Sequence, residues 1–468
     1  MRVLLVQHSA ANTDSYPLGL AVVAAVLQDA GHAVAFLDLA LEKGDPVEIL
    51  VRTAERERVE ALGFTLMTPQ YEEYLALAAG FRPRLPSVRV IAGGPHTSAV
   101  PEETLREGAV DIAVTAEAES MAAQLFEALE KGTDLAAVPG IAYLDAAGRC
   151  QRTPDPALIS DLDATPPVPL ELFRPDRYRG TLRGRRMANV QASRGCPFRC
   201  LYCLRGPASG RRFRPRRLDA VLGEIRRLHD DYGIRALSFV DDIFTFDMER
   251  TARLCEMLRA EPYRLPWMCE TRADRVDDAL LAGMKRAGCV SIDFGVESGS
   301  EMILERLRKR ISKDTLRRAF RGCRRAGIAT RAFFMLGTPW ETDETVEETI
   351  AFARELRPTV SVFFLAMPYP GTELREAFLA AGWPVPTRYG DYGHYVEASG
   401  FRSADRADDP PNPHTRFVRA CKHATRQAVW AQLSRPQYYP EVISGYLTRY
   451  SPGEFASRVA RRGWRLFR

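Results

Sequence analysis

The 468-residue chain predicts an α/β protein built from two parallel sheets in tandem: a doubly wound N-terminal domain, then a partial (β/α)6 barrel, then a small, mainly helical C-terminal cap. Three observations predict it. Short, continuously apolar runs alternate with amphipathic stretches from residue 2 to about 132, the pattern of a parallel sheet covered on both faces. A proline-rich stretch interrupts that alternation, and the alternation resumes at residue 187 for six further units. The length suits two or three domains, each large enough to bury its own core.

In the first domain, residues 1–137, strands are expected at Val3–Val6, Val34–Leu39, Ala61–Leu66, Val88–Ala92 and Ile112–Val114. Helices are expected at Leu18–Ala30, Val47–Arg56, Tyr71–Phe81, Pro101–Arg106 and Ser120–Leu129. A doubly wound sheet binds ligands at the carboxyl ends of its strands, which singles out Gln7–Asn12, Thr65–Thr68 and Gly93-Gly94-Pro95-His96. Residues 138–186 read as a hairpin, Ile141–Tyr143 with Cys150–Thr153, followed by a connector through Pro166, Pro167, Pro169 and Pro175.

The barrel domain, residues 187–385, is expected to use strands at Met187–Ala192, Leu237–Val240, Met268–Thr271, Ile292–Val296, Phe333–Leu336 and Ser361–Leu365. Parallel α/β barrels carry their chemistry at the carboxyl ends of such strands. Residues 386–468 read as the cap, helical from Thr415 to Leu433.

The first barrel strand delivers Cys196, Cys200 and Cys203, a CxxxCxxC triad in one short loop. Three thiolates in a loop can hold three irons of a 4Fe-4S cube and leave the fourth iron open. A zinc site is the other reading, but zinc normally takes four protein ligands, and no His or fourth Cys lies close by. Cys150, Cys255, Cys269, Cys289, Cys323 and Cys421 show no second close pairing and are expected to be mostly buried small hydrophobes.

With Tyr202 as the aromatic of CxxxCxΦC, the triad resembles the signature of the radical S-adenosylmethionine (SAM) family. The resemblance implies that SAM chelates the open iron and is cleaved reductively to a 5'-deoxyadenosyl radical. It further implies a small-molecule substrate and an electron donor such as flavodoxin or ferredoxin with its reductase.

Pro17-Leu18-Gly19-Leu20, Gly31-His32 and Gly93-Gly94-Pro95-His96 resemble the Rossmann-like cobalamin-binding domain that precedes the barrel in one subgroup of that family. Gly93 and Gly94 are the preferred cofactor-binding positions, and His96 is alternatively a loop histidine that caps the following turn. Two departures stand against cobalamin. The family's Gly-Glu-Gly-Glu turn is Ala116-Glu117-Ala118-Glu119 here, and alanine resists positive φ; there is also no Asp-x-His-x-x-Gly motif.

Other residues take roles from the resemblance. Asp241 and Asp242, in Asp-Asp-Ile-Phe-Thr, are candidate catalytic groups or caps of the next helix, and Tyr369 is a candidate proton donor. Glu297 and Ser298 would lie along SAM; Arg331 would meet its carboxylate or serve as an ion-pair partner, and Glu270 and Arg272 carry the same ambiguity. Arg205 to Arg217 holds six arginines around Phe213, expected as a solvated or SAM-contacting loop rather than a nucleic-acid patch.

A net charge of +5 with arginines spread along the chain does not demand a nucleic-acid partner. No apolar run reaches a membrane-spanning length, although the tail from Arg458 with Trp464 and Phe467 offers a basic surface. Nine cysteines behind a start that reads as a strand predict a cytoplasmic protein without structural disulfides.

The resemblance implies cobalamin-dependent radical C-methylation of a small natural-product intermediate, such as one of antibiotic biosynthesis. The alternative is cobalamin-independent radical dehydration of an aminoglycoside or other sugar, with the N-terminal domain vestigial. A non-enzymatic cobalamin or iron-sulfur sensor is the third reading.

Overall fold

The structure, a computed structural model, describes residues 1–9, 14–204 and 210–392, with helical positions between 417 and 427. Five strands, β1 (Arg2–Gln7), β2 (Ala33–Asp38), β3 (Ala61–Thr65), β4 (Arg89–Gly93) and β5 (Ile112–Val114), form a parallel sheet in the order 2-1-3-4-5. The order reverses between β1 and β3, so the loops after these strands splay apart and leave a crevice at their carboxyl ends. The expected hairpin is present as β6 (Ile141–Leu144) and β7 (Cys150–Arg152). It pairs antiparallel with β5 and so extends this first sheet.

The second sheet begins with a short antiparallel edge, β8 (Thr181–Leu182), on β9 (Arg185–Val190). The two-residue strands β10 (Ser193–Arg194) and β11 (Arg214–Pro215) form a separate ladder. The parallel series continues through β12 (Ala236–Phe239), β13 (Trp267–Thr271), β14 (Cys289–Glu297), β15 (Ala329–Leu336) and β16 (Val360–Leu365). Its order follows the chain without reversal, so each right-handed crossover adds its strand on the same side and the sheet curls into an open half-barrel.

The proline-rich connector is not a loose tether. Leu170, Phe173 and Tyr178 are buried in the core that spans both domains, and Tyr178 donates to Asp38 at 2.7 Å. Phe36 packs on Phe173 with ring centroids 4.2 Å apart. Prolines shape this segment, but apolar burial holds it. Of the expected helix Thr415–Leu433, the described positions between 417 and 427 are helical, and Phe417 and Cys421 are buried against the barrel, with Cys421 Sγ 3.7 Å from Phe364 O; of the rest of the cap only residues 386–392 are described, and the basic tail lies outside the described residues. Among the described residues no helix is long and apolar enough to cross a membrane.

Candidate functional site

The cysteine loop leaves β9 and is held at its root by the two aspartates that follow β12. Asp241 is fully buried; it accepts from Ala192 N at 3.1 Å and Ser193 Oγ at 2.5 Å. Burial pushes its carboxyl up to about 6, against the opposing effect of those hydrogen bonds and of Arg250. Asp242 accepts from Gly195 N at 2.7 Å. The helix that follows, Met248–Ala260, is capped by Asp247, so neither Asp241 nor Asp242 is its cap. Gly195 sits at φ +83°, where a Cβ would fall 2.0 Å from Arg212 O, and only glycine lets the two sides of the loop pass.

Cys196, Cys200 and Cys203 are free and half-buried, and burial together with the neighbouring thiols raises the Cys196 thiol. Arg272 lies across the loop. Its guanidinium stacks 3.6 Å above the Phe198 ring, donates to Lys309 O at 2.9 Å, pairs with Asp274 at 3.0 Å and sits 3.9 Å from Cys200 Sγ. Among the described residues no three His, Cys, Asp or Glu side chains converge on a single metal ion.

Beside the thiols stands a buried triad. Tyr202 donates to Glu297 Oε1 at 2.8 Å, and Lys309 Nζ reaches Glu297 at 2.9 Å and Tyr202 at 3.2 Å. Burial and the Glu297 carboxylate push the Tyr202 phenol well up. Glu297 has a left-handed backbone, φ +67°, at a register shift in β14, a strained conformation of the kind found at functional sites. Gly295 makes the triad possible, since a Cβ there would lie 2.4 Å from Glu297 Oε1 and 2.8 Å from Lys309 Nζ. Ser298 faces inward to Thr349, Oγ to Oγ1 at 3.0 Å. Lys309 and Thr349 went unnoticed in the sequence because their partners lie 12 and 51 residues away.

Of the remaining candidates, Arg331 lies 3.3 Å from the buried Asp293, which makes it an ion-pair partner. The Tyr369 hydroxyl donates to Tyr392 O at 3.0 Å and its ring stacks on Tyr392. Of the arginines after the cysteine loop, Arg211, Arg212 and Arg217 are exposed as expected, but Arg214 and Arg216 are not solvated. Arg214 is 2% exposed and grips Glu117 with two bonds of 2.6 and 2.8 Å, while Arg216 is held by Asp163 and Glu224. Arg194 pairs with Glu119 and lies 3.6 Å from Glu117. The carboxyl ends of the two sheets are thereby tied together.

In the first crevice the loops after β3 and β4 are joined by Leu66 N to Gly93 O at 2.8 Å and His96 N to Leu66 O at 3.1 Å. Gly94 has φ +102°, and a Cβ there would lie 2.8 Å from Leu66 O; at Gly93 it would meet Val114 only at ordinary contact distance. His96 is fully buried, 3.9 Å from the Tyr71 ring with Tyr389 edge-on at 4.9 Å, and burial lowers it to about 4. It is a neutral core histidine rather than a cap of the turn.

Residues 190–353 match the radical SAM superfamily and residues 7–126 match the B12 binding domain. An uncharacterized methyltransferase of Pyrococcus horikoshii is 31% identical over 369 residues, 79% of each chain. The chain belongs to the radical SAM superfamily and carries an N-terminal B12-binding domain. The anaerobic magnesium-protoporphyrin IX monomethyl ester cyclase of Rubrivivax gelatinosus is 27% identical over 76% of this chain and 65% of its own. Among solved structures, the radical SAM methyltransferase TsrM of Kitasatospora setae superposes with a TM-score of 0.69 at 23% identity, covering 82% of this chain and 77% of that one.

The cofactors of this radical SAM enzyme are a 4Fe-4S cluster, SAM and cobalamin. The donor set fits: three thiols in one anchored loop suit a cube in which three irons each take one protein sulfur and the fourth stays open. The crevice fits as well, with glycine backbone at the carboxyl end of β4 and both nearby histidines, His8 and His96, buried within the domain. The expectation that alanine is strained in the 116–119 turn does not hold. None of its four residues has positive φ, so the alanines are unstrained, and Glu117 and Glu119 are the residues that clamp the cysteine loop.

Proposed function

We propose that the protein is a cobalamin-dependent radical SAM C-methyltransferase acting on an unactivated carbon of a small molecule, with a flavodoxin or ferredoxin as reductant. The observation that carries the reading is the buried bridge from Glu117 and Glu119 to Arg214 and Arg194, which sets the B12 crevice against the cysteine loop. When bound, the cluster supplies the electron that cleaves SAM, and cobalamin supplies the methyl group. Asp241 and Asp242 fix the loop that carries the thiols, Arg272 clamps its far side, and Glu297 with Lys309 and Tyr202 forms a preorganised polar wall for SAM. In this reading Asp241, Asp242 and Tyr369 act by positioning, since their polar groups already serve the backbone of the loop and of Tyr392.

The cobalamin-free dehydration alternative rested on the altered turn, and the unstrained alanines leave it without that support. The test is anaerobic reconstitution with hydroxocobalamin, followed by SAM carrying a deuterated methyl group and a strong reductant. The expected result is near-stoichiometric cobalamin retention, appearance of the labelled methyl on it by mass spectrometry, and release of deoxyadenosine. Retained cobalamin that never takes up label would overturn the methylation reading.

A further inference from the structure

We propose that the inward face of the barrel carries a cation subsite in which Glu270 and Asp293, on adjacent strands with Arg331 beyond them, receive an amine group of the substrate. This rests on the reading above and gives its substrate a chemical class.

The register sets Glu270 opposite Asp293, and Asp293 opposite Arg331, across β13, β14 and β15. Side chains alternate along a strand, and the neighbours of Asp293, Ile292 and Phe294, belong to the core under the helices, Phe294 lying 5.2 Å from Phe320. Asp293 therefore points to the opposite, concave side. The same alternation turns Glu270 inward between buried Cys269 and Thr271, and Arg331 inward between buried Thr330 and Ala332.

Asp293 is 2% exposed; its Oδ2 lies 3.3 Å from Arg331, while its Oδ1 has no hydrogen-bond partner. Glu270 is exposed and makes no ion pair among the described residues. Two carboxylates thus face one guanidinium. A buried acceptor without a donor is unfavourable, and native structures usually complete such groups with a ligand, an ion or water. An ammonium offers three donors and the missing positive charge together, so it can bond Asp293 Oδ1 and Glu270 at once. A hydroxyl supplies a donor without the charge, and an anion would meet the Glu270 carboxylate.

The test uses the full-length holoenzyme with its cluster oxidised and three matched four-carbon probes, butylamine, butanol and butyrate, read by saturation-transfer NMR. The expected order is butylamine tightest, by about tenfold over butanol, and butyrate weakest. Glu270→Gln and the isosteric Asp293→Asn should each abolish the preference, whereas Arg331→Gln, which removes the opposing charge, should strengthen it. Equal affinities for the three probes, a preference for butyrate, or a butylamine preference that survives both carboxylate substitutions would overturn the subsite. Uptake of the deuterated methyl by cobalamin, in the same protein after SAM and a strong reductant are added, reports on the methylation reading separately, so either can fail alone.

Discussion

The carboxyl ends of the two parallel sheets meet across one buried bridge, yet they are equipped in opposite ways. The N-terminal rim offers glycine backbone, aromatic rings and a neutral histidine held near 4 by burial. The barrel rim is crowded with fixed charge: Asp241 and Asp242 on the loop root, Glu297 with Lys309, and Arg272 against a thiol. A rim that receives a large, preassembled cofactor needs space and close backbone approach. A rim that manages electron transfer and a radical needs dipoles fixed in advance, because reorganising them during the reaction would add to the barrier.

Substitutions can break this contrast, beginning where the effect is greatest. Cys200→Ala is expected to abolish deoxyadenosine formation while far-UV circular dichroism stays native; undiminished SAM cleavage would refute the cluster assignment. Next is the bridge itself. Glu117→Ala strands the buried Arg214 guanidinium, and breaking such a pair costs roughly 3–5 kcal/mol in urea unfolding. Replacing both partners, Glu117→Leu with Arg214→Met, should recover much of that stability, and failure to recover would mean the pair acts through more than its charge.

Asp293 distinguishes the two regions by pH. Its folded value, raised by burial from the ordinary 3.8 to about 7, means that the native state binds an extra proton between those values. Stability from this group is therefore greatest at low pH and is lost as pH rises towards 7, with Glu270 pushing in the same direction as burial and Arg331 opposing. Between pH 5 and pH 8 the loss should be roughly 2–3 kcal/mol, and Asp293→Asn should flatten that part of the denaturation profile. An unchanged slope would show that the carboxyl stays ionised throughout.

The smallest effect belongs to the 116–119 turn. Ala116→Gly with Ala118→Gly recreates the family's pattern but relieves no positive φ, so cobalamin retention should not improve. Stability should fall by about 1 kcal/mol from the added backbone freedom. A gain in cobalamin affinity would mean that the glycines serve close approach of the cofactor.

Much of this architecture was legible because its signals are local. Each expected parallel strand is an apolar run, and all eleven appear within a few residues of their expected positions. The cysteine triad was legible for the same reason. What misled was partnership. Asp241 and Asp242 read as acids or helix caps, but their bonds go to residues 47 to 49 positions earlier. The alanines of the 116–119 turn suggested a lost cofactor, because a residue type reveals which φ it tolerates and not which φ the chain imposes. The prolines of the connector suggested a linker, although its Phe173 and Tyr178 are core residues.

By itself the sequence determined the two sheets, their order and the three thiols, since hydrophobic periodicity and short-range spacing are properties of neighbouring residues. Only the tertiary structure decided that Lys309 completes Glu297, that Glu117 reaches Arg214, and that Glu270, Asp293 and Arg331 stand in one row. A buried charge is stable only where the fold brings it a partner, and that partner can come from any distance along the chain.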